Sequence, residues 1–326
     1  MFVMLTPNAD LNAVRAEMTA QGLWTEPLTG AEARGLRVLQ HSQATSPQTL
    51  SAIPGVADVL AETGSHPRTD ALRGSAPLGL KNRETPVLIA GPCAAESAAQ
   101  VAETAAMVRE SGGRFLRGGA YKPRTSPYSF QGHGKDALRW LADAAAANGL
   151  GLISEVDSEE AAEVVAEVAD IIQVGSRTMQ SFALLRAIGA TGKPVLLKRG
   201  MAATVDEWLM AGEHLLAAGA AHVTFCERGI IGFDTSTRNL LDLGAVALLR
   251  HVHGLPVIVD PSHAAGRRDL ILPLARAALA VGADGVMVET HPEPTRALSD
   301  GPQALHAEEL RTLGQLFTQE KGNRHD

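Results

Sequence analysis

Eight short apolar runs in this sequence are each followed, within a few residues, by side chains that can bind an anion, hold a metal or move a proton. After VLIA (87–90) comes Cys93, and the run RFLR (114–117) ends on Arg117, with Lys122 and Arg124 beyond it. GLIS (151–154) leads to Glu155, and DIIQV (170–174) contains Gln173 and leads to Arg177. PVLLK (194–198) ends on Lys198 with Arg199 next to it, and HVTFC (222–226) is followed by Glu227 and Arg228. PVIV (256–259) opens onto Asp260 and His263, and GVMV (285–288) onto Glu289 and His291, with Asp300 shortly after. Any one of these residues alone reads equally well as loop solvation or a helix cap. Together they are too many for that. Arg forks and Lys point charges gathered at one end of a fold call for phosphate or carboxylate partners, and for more than one of them.

The softer donors are Cys93, His263, Glu289 and Asp300, from the first, seventh and eighth runs. A thiolate, an imidazole and two carboxylates can hold a divalent transition metal and leave room for water or substrate. The alternative for each is plainer: a Cys in a short turn packs as a small apolar residue, and a His after Asp-Pro-Ser serves the turn's hydrogen bonding. Cys226, at a buried strand end, reads as interior filler.

The elements that must carry these residues follow one theme from about residue 85: an apolar β-branched run, a turn, then an Ala-rich stretch of helical period. Helices are predicted at 97–111, 135–148, 158–168 and 270–281, with Ala and Leu on one face and charge on the other. Eight strands alternating with helices predict a (β/α)8 barrel, whose working residues lie past the carboxyl ends of its strands. No dinucleotide fingerprint opens the first helix. Residues 1–66 differ: a strand at FVMLT, an amphipathic DLNAVRAEMTAQG, strands near 23–28 and 35–40, a short helix after Ser46 and a strand at 56–61. That order predicts a small α+β ferredoxin-like domain. The Pro-, Gly- and charge-rich stretch 67–84 reads as a linker, leaving 85–326 for the barrel.

The bulk numbers are those of a globular protein with room for a large core: 326 residues, 45% hydrophobic, 20% charged, formal net charge −7. That charge argues against a nucleic-acid coat, the apolar stretches are too short and interrupted to span a membrane, and the opening MFVMLTPNAD lacks a signal peptide's basic end and apolar run. With two cysteines and no disulfide framework, the expected location is cytoplasmic.

The strings AGPCAAES, LRGGAYKPRTSPYSFQG, IIQVGSRTMQ, PVLLKRGM, CERGI, VIVDPSHAAGRR and MVETHPEPTRALSDGPQ lie at strand ends in one order over about three quarters of the chain. In this the chain resembles 3-deoxy-7-phosphoheptulonate synthase of the shorter kind, a barrel with a small amino-terminal domain. The resemblance implies condensation of phosphoenolpyruvate with erythrose 4-phosphate and water, the first step of the shikimate pathway to aromatic amino acids. It implies a divalent metal, Mn2+ first and Fe2+, Co2+, Zn2+ or Cd2+ as alternatives, on Cys93, His263, Glu289 and Asp300. Phosphoenolpyruvate is then expected on Arg117, Lys122, Arg177, Lys198 and Arg228, and the sugar phosphate along Arg124, Thr125 and Ser126, with Ser176 and Arg177 nearby. Glu227 and Asp260 complete the substrate-facing set. Lys122 and Glu155 are the candidates for handling protons, and Cys93 and His263 act through the metal. Ser176 stands where the family commonly has Ala, and Thr290 where it often has Val.

Two other readings stand beside this one: a sibling enzyme that uses arabinose 5-phosphate, and a catalytically silent regulatory subunit. The KPRTS string favours the four-carbon sugar, and Cys93 favours metal dependence. For the small domain the resemblance implies an effector module, for tyrosine or phenylalanine, in a homotetramer. Its plainer alternative is an oligomerisation or stability cap.

Overall fold

The computed structural model describes residues 1–323 except 29–33, 43–44, 61–64, 84, 123–127 and 129. The chain forms two compact units, Met1–Pro67 and Arg68–Asp326.

The first unit is built from β1 (Phe2–Leu5), α1 (Leu11–Ala20), β2 (Leu23–Pro27), β3 (Gly35–His41), α2 (Pro47–Ser51) and β4 (Val56–Leu60). Its strands form an antiparallel sheet in the order β2-β3-β1-β4, the ferredoxin-like βαββαβ plan expected from the sequence. One sheet face and the apolar stripes of the helices close over Val3, Leu5, Val14, Met18, Leu23, Leu36, Leu50 and Ile53. Asp10 caps α1 by accepting from the amides of Asn12 and Ala13, and Ser46 caps α2 through Thr49 N.

The second unit opens within α3 (Pro67–Asp70), passes through a short 3-10 turn (Pro77–Gly79) and then enters the barrel. Its strands are β5 (Val87–Gly91), β6 (Phe115–Gly118), β7 (Gly151–Val156), β8 (Ile171–Val174), β9 (Pro194–Lys198), β10 (His222–Glu227), β11 (Val257–Val259) and β12 (Gly285–Glu289). All pair in parallel, and β12 returns to β5, so the sheet is closed. Each of the eight lies within two residues of its sequence-predicted run. Between them run α4 (Ala98–Glu110), α5 (Lys135–Ala147), α6 (Glu159–Val168), α7 (Phe182–Ala190), α8 (Val205–Ala217) and α9 (Leu243–Ala247), the last continued by a π turn (Leu248–His253). A short extra helix, α10 (Pro261–Ala265), follows β11 before α11 (Ile271–Ala280), and α12 (Ala307–Asn323) closes the chain. Side-chain caps fix where these helices begin: Ser97 on α4, Ser158 on α6 and a reciprocal Thr204–Glu207 box on α8.

Strand alternation sorts the core into two shells. One parity faces the helices, and the other fills the barrel with Val87, Ile89, Phe115, Ile153, Ile171, Leu196, Cys226, Ile258 and Met287. The stretch 67–84, expected as a linker, is from Arg68 onward part of the barrel's unit. Leu78 joins the interior shell and donates its amide to Thr224 Oγ1 at 2.6 Å, so this stretch plugs the amino-terminal end of the barrel. Arg83 is anchored by a two-pronged pair with buried Asp284, Nε to Oδ1 at 2.6 Å and Nη2 to Oδ2 at 2.8 Å. The polar stretch is thereby held by buried contacts that composition does not show.

Candidate active site

Moving two residues along each strand from the interior apolar shell keeps the side chain pointing inward. That step leads from Phe115 to Arg117, Ile153 to Glu155, Ile171 to Gln173, Leu196 to Lys198, Cys226 to Arg228, Ile258 to Asp260 and Met287 to Glu289. One polar layer therefore lies on top of one apolar layer, at the carboxyl end of the barrel. On β5 the same step from Ile89 meets Gly91, where an added Cβ would stand 1.9 Å from Arg117 O. Only glycine lets β5 and β6 approach so closely.

The layer is an alternating network of charge. Arg117 is 3% exposed and donates to Glu289 Oε1 at 3.1 Å and to Pro92 O at 2.9 Å. Burial works against its charge and is the largest single influence, but Glu289 together with Cys93, Asp260 and Glu155 outweighs it and raises the guanidinium's pKa. Lys198 Nζ donates to Asp260 Oδ2 at 2.8 Å, and the same oxygen lies 2.7 Å from His263 Nδ1. Burial would raise the Asp260 carboxyl, yet His263 and Lys198 hold it well below the ordinary range. Asp260 Oδ1 accepts from His263 N at 3.0 Å as the cap of α10, so one carboxylate sets both the helix and its histidine ring. With Nδ1 facing Asp260, Nε2 is left to face Glu289 Oε1, 3.4 Å away. Gln173 Nε2 donates to Glu155 Oε2 at 2.5 Å and orients that carboxylate.

Two buried cations keep unused donors: Arg117 Nε and Arg228 Nε have no hydrogen-bond partner among the described residues. Burial, joined by the nearby Arg238 charge, lowers the Arg228 pKa against the opposing pull of Asp260. Ser176 Oγ, just past β8, is likewise buried and unpartnered. Buried donors left over from the protein's own network are what an anionic ligand would complete.

A tight group of metal-binding atoms lies beside this layer: Cys93 Sγ and one carboxylate oxygen each of Glu289 and Asp300, all within 4.8 Å of one another. His263 joins it through Glu289. Cys93 Sγ contacts Ser299 Oγ at 2.9 Å and Asp300 Oδ2 at 3.0 Å, and Lys122 Nζ donates to Cys93 Sγ at 3.1 Å and to Cys93 O at 2.8 Å. Burial, then the Glu289 charge, pushes the Cys93 thiol up to about 12. Burial opposes the Asp300 charge, but the Cys93 hydrogen bond and His263 hold its carboxyl far down. Asp300 also has a left-handed backbone, φ 54°, a conformation that non-glycine residues rarely adopt and that strained functional sites tend to retain. Sulfur, imidazole and two carboxylates suit a divalent transition ion.

Not every expected residue turns into this site. Glu227 has the opposite strand parity and faces the helix layer, where its Oε2 accepts from Arg199 Nη1 at 3.1 Å and its Oε1 from Gly229 N at 2.7 Å. Arg199 is held there by Asp242 as well and lies over the Trp208 ring. The expected substrate contact of Glu227 thus gives way to a buried ion pair behind Arg228. Arg177 is exposed at the rim, with no ion-pair partner among the described residues. Arg124, Thr125 and Ser126 lie outside the described residues. Cys226 is fully buried in the interior shell, as read from the sequence. His291 takes a structural place: its Nδ1 accepts from Glu293 N at 3.0 Å. Sequence reasoning passed over Arg238, Gln303 and Ser299, which touch the metal-binding group from loops. Only the closeness of Ser299 and Gln303 to Asp300 along the chain could have drawn attention to them, and nothing local marks Arg238.

Among the described residues, no helix is long and apolar enough to cross a membrane. Residues 56–324 match the model of the DAHP synthetase I family, DAHP being 3-deoxy-D-arabino-heptulosonate 7-phosphate. A phospho-2-dehydro-3-deoxyheptonate aldolase of Thermotoga maritima is 51% identical over 228 residues, 70% of this chain and 68% of that protein. A 2-dehydro-3-deoxyphosphooctonate aldolase of Methylococcus capsulatus is 32% identical over 263 residues, 74% of this chain and 90% of its own. The crystal structure of a phospho-2-dehydro-3-deoxyheptonate aldolase (DAHP synthase) from Thermotoga maritima superposes with a TM-score of 0.75 at 39% identity, covering 98% of this chain and 96% of that one. By its barrel, its site and these matches, the chain belongs to the DAHP synthetase I family.

Proposed function

We propose that the chain condenses phosphoenolpyruvate with erythrose 4-phosphate and water, releasing phosphate and the seven-carbon 3-deoxy sugar acid phosphate, and that it needs a divalent metal to do so. The observation that carries this is the polar layer itself: buried cations with unused donors stand next to a Cys and two-carboxylate group, with His263 Nε2 3.4 Å from Glu289, at one barrel mouth. Family membership and the heptonate aldolase at 51% identity, against 32% for the octonate aldolase, support the four-carbon sugar.

In this reading Arg117, Lys198 and Arg228 bind and orient phosphoenolpyruvate, and Arg177 and Ser176 at the rim face the phosphate of either substrate. The cations bring together two anions that repel each other in water and fix the enol carbon against the aldehyde. Cys93, His263, Glu289 and Asp300 would hold the metal, which when bound supplies Lewis-acid polarisation of the aldehyde oxygen. Lys122, whose Nζ lies 3.1 Å from Cys93 Sγ at the edge of that group, is the candidate to supply a proton there. Glu155, turned inward and held by Gln173, is placed to take a proton from the water that adds to the enol's other carbon. Mn2+ is the first choice among Mn2+, Fe2+, Co2+, Zn2+ and Cd2+, all of which this donor set accepts.

The finer reading extends to the amino-terminal unit as an effector module for tyrosine or phenylalanine in a cytoplasmic homotetramer. A concave pocket on that unit, lined by polar Thr6, Asn8, Asp10 and Glu17 and by apolar Val14 and Ile53, offers room for a small ligand there.

The test is phosphate release from phosphoenolpyruvate with erythrose 4-phosphate or arabinose 5-phosphate as acceptor, before and after EDTA and on return of Mn2+. Release with the four-carbon sugar alone, lost on chelation and restored by Mn2+, is expected. Release with the five-carbon sugar instead moves the chain to the sibling reaction, and silence with both in the presence of metal overturns the catalytic reading.

A further inference from the structure

The loop after β10 doubles back, with Ile230 and Leu240 exchanging backbone hydrogen bonds of 2.9 Å in both directions. Its returning limb runs along α10. Arg238 N donates to Ala265 O at 3.1 Å and Asn239 N to Ala264 O at 2.8 Å, while Asn239 Nδ2 donates to the carbonyl of His263 at 2.9 Å. Gly266, which ends α10 with φ +67°, leaves the channel in which the aliphatic part of Arg238 lies. A Cβ there would come within 2.6 Å of Arg238 Cβ.

From this anchored backbone the Arg238 guanidinium reaches one carboxylate of the metal-binding group, Asp300, directly and the other, Glu289, through Gln303. Its Nη1 donates to Asp300 Oδ1 at 3.1 Å and to Gln303 Oε1 at 3.0 Å, and Gln303 Nε2 passes the restraint on to Glu289 Oε2 at 2.6 Å. Asp300 is thus held through Oδ1 and Glu289 through Oε2, while Glu289 Oε1 also accepts from Arg117 Nη1 at 3.1 Å. Asp300 Oδ2 lies 3.0 Å from Cys93 Sγ, and Glu289 Oε1 lies 3.4 Å from His263 Nε2. Outer partners that fix which oxygen a ligand presents affect metal affinity almost as strongly as some ligands do.

We propose that Arg238 is a positioning residue for the metal site: with Gln303 it orients Asp300 and Glu289, while the adjoining Asn239 holds the backbone of His263. One loop thereby restrains three of the four metal-binding residues, and its other end carries Arg228, a cation of the anion layer. The inference rests on the metal reading of the site given above. Arg238 is 42% exposed along its side chain, so its ion pair adds little to the stability of the fold, and its effect should appear in metal binding.

The experiment titrates the metal-free full-length chain with Co2+ alone, following the near-ultraviolet thiolate-to-cobalt band of Cys93 and the visible cobalt bands, for the wild type, Arg238→Gln, Arg238→Lys and Gln303→Ala. Wild type is expected to show the thiolate band. Arg238→Gln is expected to bind Co2+ on the order of 10- to 100-fold more weakly with shifted visible bands. The melting temperature of its metal-free form should be unchanged. Arg238→Lys, which keeps the charge on a shorter side chain, should recover part of the affinity. Gln303→Ala in the Arg238→Gln background should add little, because the two act in one chain of contacts. Wild-type binding that Arg238→Gln leaves unchanged in affinity and spectrum overturns this inference alone. A wild type that gives no thiolate band overturns the metal reading, and this inference with it.

Discussion

Asp260→Asn removes one charge and no volume, yet the geometry gives the amide no orientation that satisfies all its neighbours. Asp260 Oδ2 accepts from Lys198 Nζ at 2.8 Å and faces His263 Nδ1 at 2.7 Å, while Oδ1 accepts the His263 amide at 3.0 Å. If the asparagine oxygen takes the Oδ2 position, its NH2 points at the His263 N–H, and the cap of α10, worth about 1 kcal/mol, is lost. If it is flipped, the NH2 meets the buried ammonium and forces Nδ1 to accept, which moves the ring proton to Nε2, where a metal would bind. In both cases Lys198, 4% exposed, loses its counter-charge. Breaking a buried pair by removing one partner costs about 3–5 kcal/mol, which for a unit of this size lowers the melting temperature by roughly 6–15 °C. The fall should appear in the metal-free protein, measured by circular dichroism, and Mn2+ affinity should drop on the order of 10- to 100-fold. A metal-free Asp260→Asn protein that melts with the wild type and binds Mn2+ equally well would refute the role assigned to this carboxylate.

Three further outcomes are expected. His222, buried with Nε2 unpartnered, is held by burial at about 4 against an ordinary 6.5. The unfolded chain therefore binds the extra proton between these values, so stability falls as pH drops from 6.5 towards 4, by about 3 kcal/mol in full. Melting curves of His222→Gln should be flatter over that window, and equal slopes would remove His222 as the cause. In the metal-free protein Cys93, with its thiol pushed up to about 12, should react with a disulfide reagent at pH 7.5 far more slowly than a free thiol. Rapid titration in the wild type that is absent in Cys93→Ser would contradict that burial. Gly91→Ala should yield insoluble or unfolded protein, because its Cβ would stand 1.9 Å from Arg117 O, and a soluble variant with native melting would show that β5 and β6 can part.

Much of the site was legible because strands alternate. Arg117, Glu155, Lys198, Arg228, Asp260 and Glu289 each follow an interior apolar residue by two, and that spacing survives in the bare sequence. Glu227 shows the limit of reading by strand ends alone: next to Arg228 it looks equally placed, but its parity sends it outward to Arg199 and Asp242. The stretch 67–84 misled in a related way, because Pro, Gly and charge mark a chain without regular structure and say nothing of Leu78 filling the barrel floor.

By itself the sequence determined the number and order of the strands, the two-unit plan, the helix caps and the residues that crowd one end of the barrel. These are local properties of period and turn chemistry, settled within a few residues of chain. The tertiary structure decided the pairing. Glu289 meets Arg117 across 172 residues, Lys198 meets Asp260 across 62, and Arg238 reaches Asp300 across another 62, contacts that exist only once the sheet has closed. Barrel closure also decides which donors the protein satisfies and which, on Arg117 and Arg228, find no partner among the described residues.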